Sequence, residues 1–211
     1  MAPAEFCFIV CSLSALVLPL FPFAVLPFEV WNNLAMEELA IECGVCRLRP
    51  FRLEDADSLT HHANNRNVSV RLRDRFPYPY TKDHARQFLT AVAKRRADLP
   101  EFVLAIEVDG NAVGGIGVIL GTDVERISGE LGYWLGEEFW GQGIATAAIR
   151  RFAPWVMEQF HLTRLHADTF HDNPASARVL EKAGFTKESV KQRAAIKNGE
   201  IKDMNVYVLL R

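Results

Sequence analysis

Beyond residue 45 the apolar positions keep switching between two periods, one residue in two and about one in 3.6, and each switch falls at a turn or capping residue. Residues 46–51 (CRLRPF) alternate as a short strand. Residues 53–63 follow with acids in the first turn and histidines at the end, the polarity that suits a helix dipole. Residues 64–80 are polar and close in Phe76-Pro77-Tyr78-Pro79-Tyr80, which predicts a loop with aromatic anchors. Thr81 caps a helix expected from Lys82 to about Ala97, with Ala85, Phe88, Leu89 and Val92 on one face. Two strands, 102–108 and 112–120, flank the turn signal Asp109-Gly110-Asn111 and predict a hairpin. A third strand, 128–135, feeds a glycine-rich loop and then a long helix to about Phe160, where Pro154 predicts a kink or a late break. Residues 164–170 alternate again. Asn173 and Pro174 open another helix as cap and first helical residue, and Gly184 closes it. Strands 188–196 and 200–210 end the chain around Asn198-Gly199, a strong hairpin signal. No repeat or linker interrupts this succession, so residues 46–211 read as one α/β unit behind an apolar extension, residues 1–45.

That extension holds an uncharged run, FCFIVCSLSALVLPLFPFAVLPF, at residues 6–28, long enough to span a bilayer. Prolines 19, 22 and 27 interrupt it, and no Lys or Arg precedes Arg47 to orient an anchor or form a signal-peptide n-region. Three readings stay open: an anchor, a cleaved signal, and a segment outside a working protein that starts at Met36. Elsewhere the composition is that of a soluble domain. With 24 basic and 26 acidic residues the net charge of −2 gives no overall pull toward nucleic acid or anionic lipid. The four cysteines, Cys7, Cys11, Cys43 and Cys46, all lie near the N-terminus, which does not describe a disulfide framework. Cys43-Gly44-Val45-Cys46 has the spacing of half a zinc site, but no second pair follows and His61-His62 lacks ligand spacing, so no metal is expected.

The chemistry concentrates in residues 128–185. A strand runs into the loop 136–143 (GEEFWGQG) and then into a helix, which exposes successive backbone N–H groups at the positive end of a helix dipole. Gly141 and Gly143 permit backbone conformations barred to other residues and keep side chains away from a phosphate. The natural ligand is a pyrophosphate. A dinucleotide fold would need G-x-G-x-x-G after the first strand, and a nucleoside-triphosphatase loop would need G-x-x-x-x-G-K-[ST]; neither is present.

The run GYWLGEEFWGQGIATAAIRRF, followed by NPASARVLEKAGF at 173–185, resembles the GNAT superfamily of N-acetyltransferases, and within it the branch acting on ribosomal proteins (RimJ/RimL-like). Trp140 stands where the superfamily's pyrophosphate loop usually has Gln or Arg. The resemblance implies an α/β (α+β) GNAT fold: a mixed, mostly antiparallel twisted sheet of about six to seven strands, helices on both faces and a splayed central strand pair. It implies acetyl-CoA as co-substrate, with Trp134 and Leu135 pairing with the pantetheine arm. The backbone of Gln142, Gly143, Ile144, Ala145 and Thr146 would hold the pyrophosphate, Asn173 would meet the far end of the arm, and Trp140, Gly141 and Ser176 would complete the coenzyme site. Many members carry a Tyr four residues after the Ser176 position; here that residue is Leu180.

Attack of an amine on a thioester needs a base for the ammonium proton and a hydrogen bond for the departing sulfur. Ser176 is the candidate for the sulfur; Glu188 is the first candidate base and Glu130, on the strand feeding the loop, the second. The acceptor, a protein N-terminus or a small amine, would be chosen by residues 64–80, the helix after them and the Asn198-Gly199 hairpin. The alternative is an inactive acetyl-CoA sensor of the same fold. The expected setting is cytoplasmic, as monomer or homodimer, without nucleic acid and with no membrane unless residues 6–28 are an anchor. A chain starting at Met36 is expected to be soluble and as active as the full chain; aggregation or inactivity of that shortened chain contradicts the third reading of the extension.

Overall fold

The computed structural model describes residues 39–94 and 101–211, so the apolar run, Met36 and the expected end of the helix near Ala97 lie outside the described residues. Eight strands form one sheet in the order β1-β2-β3-β4-β5-β6-β8-β7. They are β1 Ile41–Glu42, β2 Arg47–Arg49, β3 Glu101–Val108, β4 Asn111–Leu120, β5 Ser128–Leu135, β6 Arg164–Phe170, β7 Thr186–Lys197 and β8 Glu200–Leu210. All neighbours are antiparallel except β5 and β6. The strand beyond the expected count is β1. It pairs Ile41 with Leu48 and buries Ile41, so the sheet begins ahead of Cys46. The two cysteines span the turn between β1 and β2, where the Cys43 N–H donates to the Cys46 carbonyl at 2.9 Å and Gly44 takes φ +82°.

Local signals account for most boundaries. Asp109 and Gly110 both have positive φ, 49° and 81°, as do Asn198 and Gly199, 51° and 82°; this mirror-image turn matches the twist of paired strands. Helix α1 (Ala56–Ala63) follows a 3₁₀ turn at Leu53–Asp55, and α3 (Lys82–Lys94) starts where the Thr81 hydroxyl accepts the His84 N–H at 3.3 Å. Residues 64–80 are not wholly a loop. Asn65 accepts N–H bonds from Asn67 at 2.8 Å and Val68 at 3.4 Å and so starts a one-turn helix, α2 (Arg66–Ser69). Helix α4 (Ile144–Gln159) continues through Pro154, and α5 (Pro174–Lys182) starts at Asn173, whose side chain accepts the Ser176 N–H at 3.2 Å.

Helices cover both faces. On one, α4 packs Ile149, Phe152 and Val156 against Leu104, Ile116 and Leu165 of the sheet, all essentially fully buried. On the other, Leu59 of α1 and Ala85 and Leu89 of α3 close over Ala105 and Ala112. Each face removes apolar area from water, at about 25 cal/mol per Å².

One polar cluster is buried beside the second core. Arg49 of β2, its side chain 3% exposed, makes two 2.8 Å bonds to the Asp55 carboxylate and a further one to Glu107 of β3. Asp55 also accepts the Arg52 N–H at 2.8 Å, so one guanidinium ties the 3₁₀ turn to two strands. The paired carboxylates hold the arginine's pKa above its ordinary value. Arg49→Met leaves two buried carboxylates without their cation and is expected to lower unfolding stability by about 3–5 kcal/mol. Urea titration checks this, and a loss below about 1 kcal/mol contradicts the role given to the cluster.

Candidate active site

The parallel neighbours β5 and β6 pair at three positions only: Ser128 with Arg164, Gly129 with Leu165 and Glu130 with His166. Beyond these, β5 continues to Leu135 paired with β4 alone, and β6 continues to Phe170 paired with β8 alone. From Leu131 and Ala167 onward the two facing edges splay apart and carry backbone N–H and C=O groups with no strand opposite them. A cavity of about 1090 Å³ opens there, walled by β4, β5, β6, α5, the start of α4 and the segment after α2.

At one end of the cavity stands the N-terminus of α4. Its cap, Gly143, has φ 80°, and the first intrahelical bond runs from Ala147 N–H to the Gly143 carbonyl at 2.9 Å. The N–H groups of Ile144, Ala145 and Thr146 therefore have no acceptor within the helix, and the helix dipole adds partial positive charge. Trp140 braces the loop by donating its indole N–H to the Leu135 carbonyl at 2.8 Å. Trp134, Leu135, Trp140, Gly141, Gly143, Ile144, Ala145, Thr146, Asn173 and Ser176 all reach the cavity wall. Gln142 does not; its side chain turns back to the Glu138 carbonyl at 2.8 Å, which leaves its backbone as the part available to the loop.

The two candidate bases part company. Glu130 lies on the wall, paired with Arg73. Glu188 does not reach the cavity: the Arg164 guanidinium grips both its oxygens, at 2.7 and 2.6 Å, and holds its pKa below the usual carboxylate range, the wrong direction for a base. Of the two candidate bases, Glu130 alone lines this cavity.

Two features escaped the sequence. Tyr133, inside an apolar strand pattern, places its hydroxyl 2.7 Å from Ser176 Oγ, and burial pushes its pKa up to about 12. Leu180, in the family's usual Tyr position, is fully buried in the core, so the hydroxyl that meets Ser176 comes from β5 rather than α5. On β6, Asp168 Oδ2 accepts from Lys191 of β7 at 2.8 Å, while Asp168 Oδ1 and Thr169 Oγ1 are buried with no hydrogen-bond partner among the described residues. Both residues line the cavity, and such orphans fit a wall completed by a ligand with polar groups, as a pantetheine arm has.

The other side of the cavity is an arm, residues 71–77, carrying Arg71, Arg73, Arg75 and Phe76 onto the wall. Arg71 donates to the Asp172 carbonyl at 2.7 Å, Arg75 lies 3.6 Å from Glu101, and the buried Lys197 ammonium donates to Asp74 at 2.7 Å. From α3, His84, Gln87 and Phe88 join them. The Asn198-Gly199 tip, expected to help choose the acceptor, is not on the wall; its strand touches the arm through Lys197.

Residues 46–186 match the model of the acetyltransferase (GNAT) domain. The chain is 31% identical over 134 residues to YdaF, a candidate ribosomal N-acetyltransferase of Bacillus subtilis (strain 168), covering 63% of this chain and 73% of that protein. It is 33% identical over 94 residues to the ribosomal-protein-serine acetyltransferase of Escherichia coli (strain K12), covering 44% and 52% respectively. The solved structure of RimL, a ribosomal L7/L12 alpha-N-protein acetyltransferase in complex with coenzyme A, superposes with a TM-score of 0.72 at 20% identity, over 82% of this chain and 98% of that one. The cleft, the helix terminus and these likenesses agree: the chain belongs to the GNAT acetyltransferase family, and by class it is an acetyl-CoA-dependent N-acetyltransferase.

Gly143→Pro removes a backbone donor and cannot adopt φ 80°. It is expected to abolish coenzyme A binding in calorimetry with the circular dichroism spectrum retained; unchanged affinity contradicts the anion site.

Proposed function

We propose that this chain transfers the acetyl group of acetyl-CoA to a primary amine, with a protein N-terminal α-amine as the first acceptor to test and small amines as the second. The observation that carries the reading is that one cavity reaches both faces of the sheet through the splay. Glu130 and Tyr133 sit three residues apart on β5 and so project to opposite faces, yet both line it. The donor's pyrophosphate rests on the N-terminus of α4, its arm lies between β5 and β6, and the acceptor enters past Arg73, Phe76 and Tyr80 on the side of Glu130.

In this reading Glu130, directly or through a water, accepts the proton of the incoming ammonium. The amine nitrogen bonds to the thioester carbonyl carbon, and free N–H groups on the β5 edge stabilise the negative charge that develops on oxygen. The nitrogen then gives its second proton to solvent, and the carbon–sulfur bond breaks with its electron pair on sulfur, where the Ser176 hydroxyl donates a hydrogen bond. The names of the two ribosomal relatives favour a protein N-terminus as acceptor. An inactive sensor draws support from Leu180 alone, and the Tyr133–Ser176 pair supplies a hydroxyl at that place. The expected setting is the cytoplasm, where the acetyl donor resides.

Turnover is tested with acetyl-CoA and serine- or alanine-initiated hexapeptides against polyamines, read by mass spectrometry; acetylation of neither class contradicts the function. Glu130→Gln is expected to lower kcat/KM about 10²-fold near pH 7. A base is needed while the acceptor is ammonium, so the loss shrinks as pH rises and free amine accumulates. Glu188→Gln is expected to be silent, and a pH-dependent loss there with none at Glu130 reverses the assignment.

A further inference from the structure

Two hydroxyls from different elements meet at 2.7 Å where β5 passes the first turn of α5: Tyr133 and Ser176. Either could donate, and the chemistry decides. A phenol is the stronger acid of the two, and among the described residues its other acceptor is the Ser176 carbonyl at 3.4 Å, beyond good hydrogen-bond length. Tyr133 therefore donates to Ser176 Oγ, leaving the serine proton free to turn toward the cavity that both residues line. Without that donor, a serine in the first turn of a helix bonds back to a preceding carbonyl of its own chain. Burial keeps the phenol protonated at every working pH, so it stays a donor and does not itself supply the proton that sulfur finally takes.

We propose that Tyr133 is a positioning residue for the transfer: it locks the Ser176 hydroxyl with its proton aimed at the thioester sulfur, whereas many family members place a tyrosine, as the acid, at the position of Leu180. The inference rests on the proposed reaction. The electron balance is that of the transfer itself: the C–S pair leaves on sulfur, the Ser176 proton is shared with the thiolate through a hydrogen bond, and solvent provides the proton that makes the free thiol.

The test is a double-mutant cycle on kcat, using acetyl-CoA and whichever hexapeptide or polyamine the wild-type chain acetylates. Tyr133→Phe removes one oxygen from a buried ring and keeps its shape. It is expected to lower kcat about 10-fold, equivalent to about 1.4 kcal/mol in the barrier, and to leave KM for the amine and calorimetric affinity for coenzyme A within about 2-fold. In a Ser176→Ala background the same change is expected to cost nothing further, because the hydroxyl it orients is gone. Additive losses, a silent Tyr133→Phe, or a loss confined to coenzyme affinity each overturn the role and leave the proposed reaction standing. A wild-type chain that binds coenzyme A and acetylates no amine overturns the reaction and this role with it.

Discussion

The divergence of β5 from β6 is the constraint on which the site depends. Parallel strands that stay paired would leave each other's backbone groups satisfied and no passage through the sheet. Here the pairing stops after Glu130 and His166, so Leu131–Leu135 and Ala167–Phe170 offer ladder groups to whatever lies between them. An extended chain bearing amides is the natural occupant, since it can pair with such edges as an added strand does. The cost of opening the sheet is limited because the far edge of each strand remains fully laddered, β5 to β4 and β6 to β8.

The rest of the site is arranged around that passage. The strand that borders the gap on one side runs directly into the loop whose glycines turn the chain into α4, which fixes the N-terminal end of that helix beside the mouth. The glycines of β4 thin the wall: a Cβ on Gly115 would come within 3.0 Å of the Trp134 indole nitrogen and 3.3 Å of the Phe51 ring. Three guanidiniums and one buried ammonium hold the arm 71–77 over the acceptor side, each against a carboxylate or carbonyl of a different element. Arg73 and Glu130 form the contact in this set that bears on the proposed chemistry, because the same carboxylate is the proposed base for the acceptor's ammonium.

What the sequence disclosed divides along the range of the interactions. Asp109-Gly110, Asn198-Gly199 and Asn173-Pro174 act through their own backbone, and the hairpins and the α5 cap they predict are present. The glycine turn into α4 was legible for the same reason, as was β5 to its ends. The splay was implied by family resemblance and not by periodicity, since alternation is the same whether or not a neighbour is paired. Contacts set by distant partners were not legible: nothing near Glu188 in the chain announces Arg164, 24 residues earlier, and nothing near Tyr133 announces Ser176, 43 residues later. The helix α2 was missed because four residues are too few to show a period, and its cap, Asn65, looks like any loop asparagine.

The proposed reading brings donor and acceptor into one passage from opposite faces of the sheet, so a single ligand should occupy both halves at once. Coenzyme A joined through an acetyl bridge from its sulfur to the terminal amine of an acceptor hexapeptide should exceed coenzyme A alone in affinity by about 10²-fold or more, because the second half binds without a second loss of free motion. Its advantage should also fall with Arg73→Ala, which leaves the α4 end untouched. Affinity no better than that of coenzyme A, measured by calorimetry on the same preparation, contradicts a passage that brings the two substrates together at the splay.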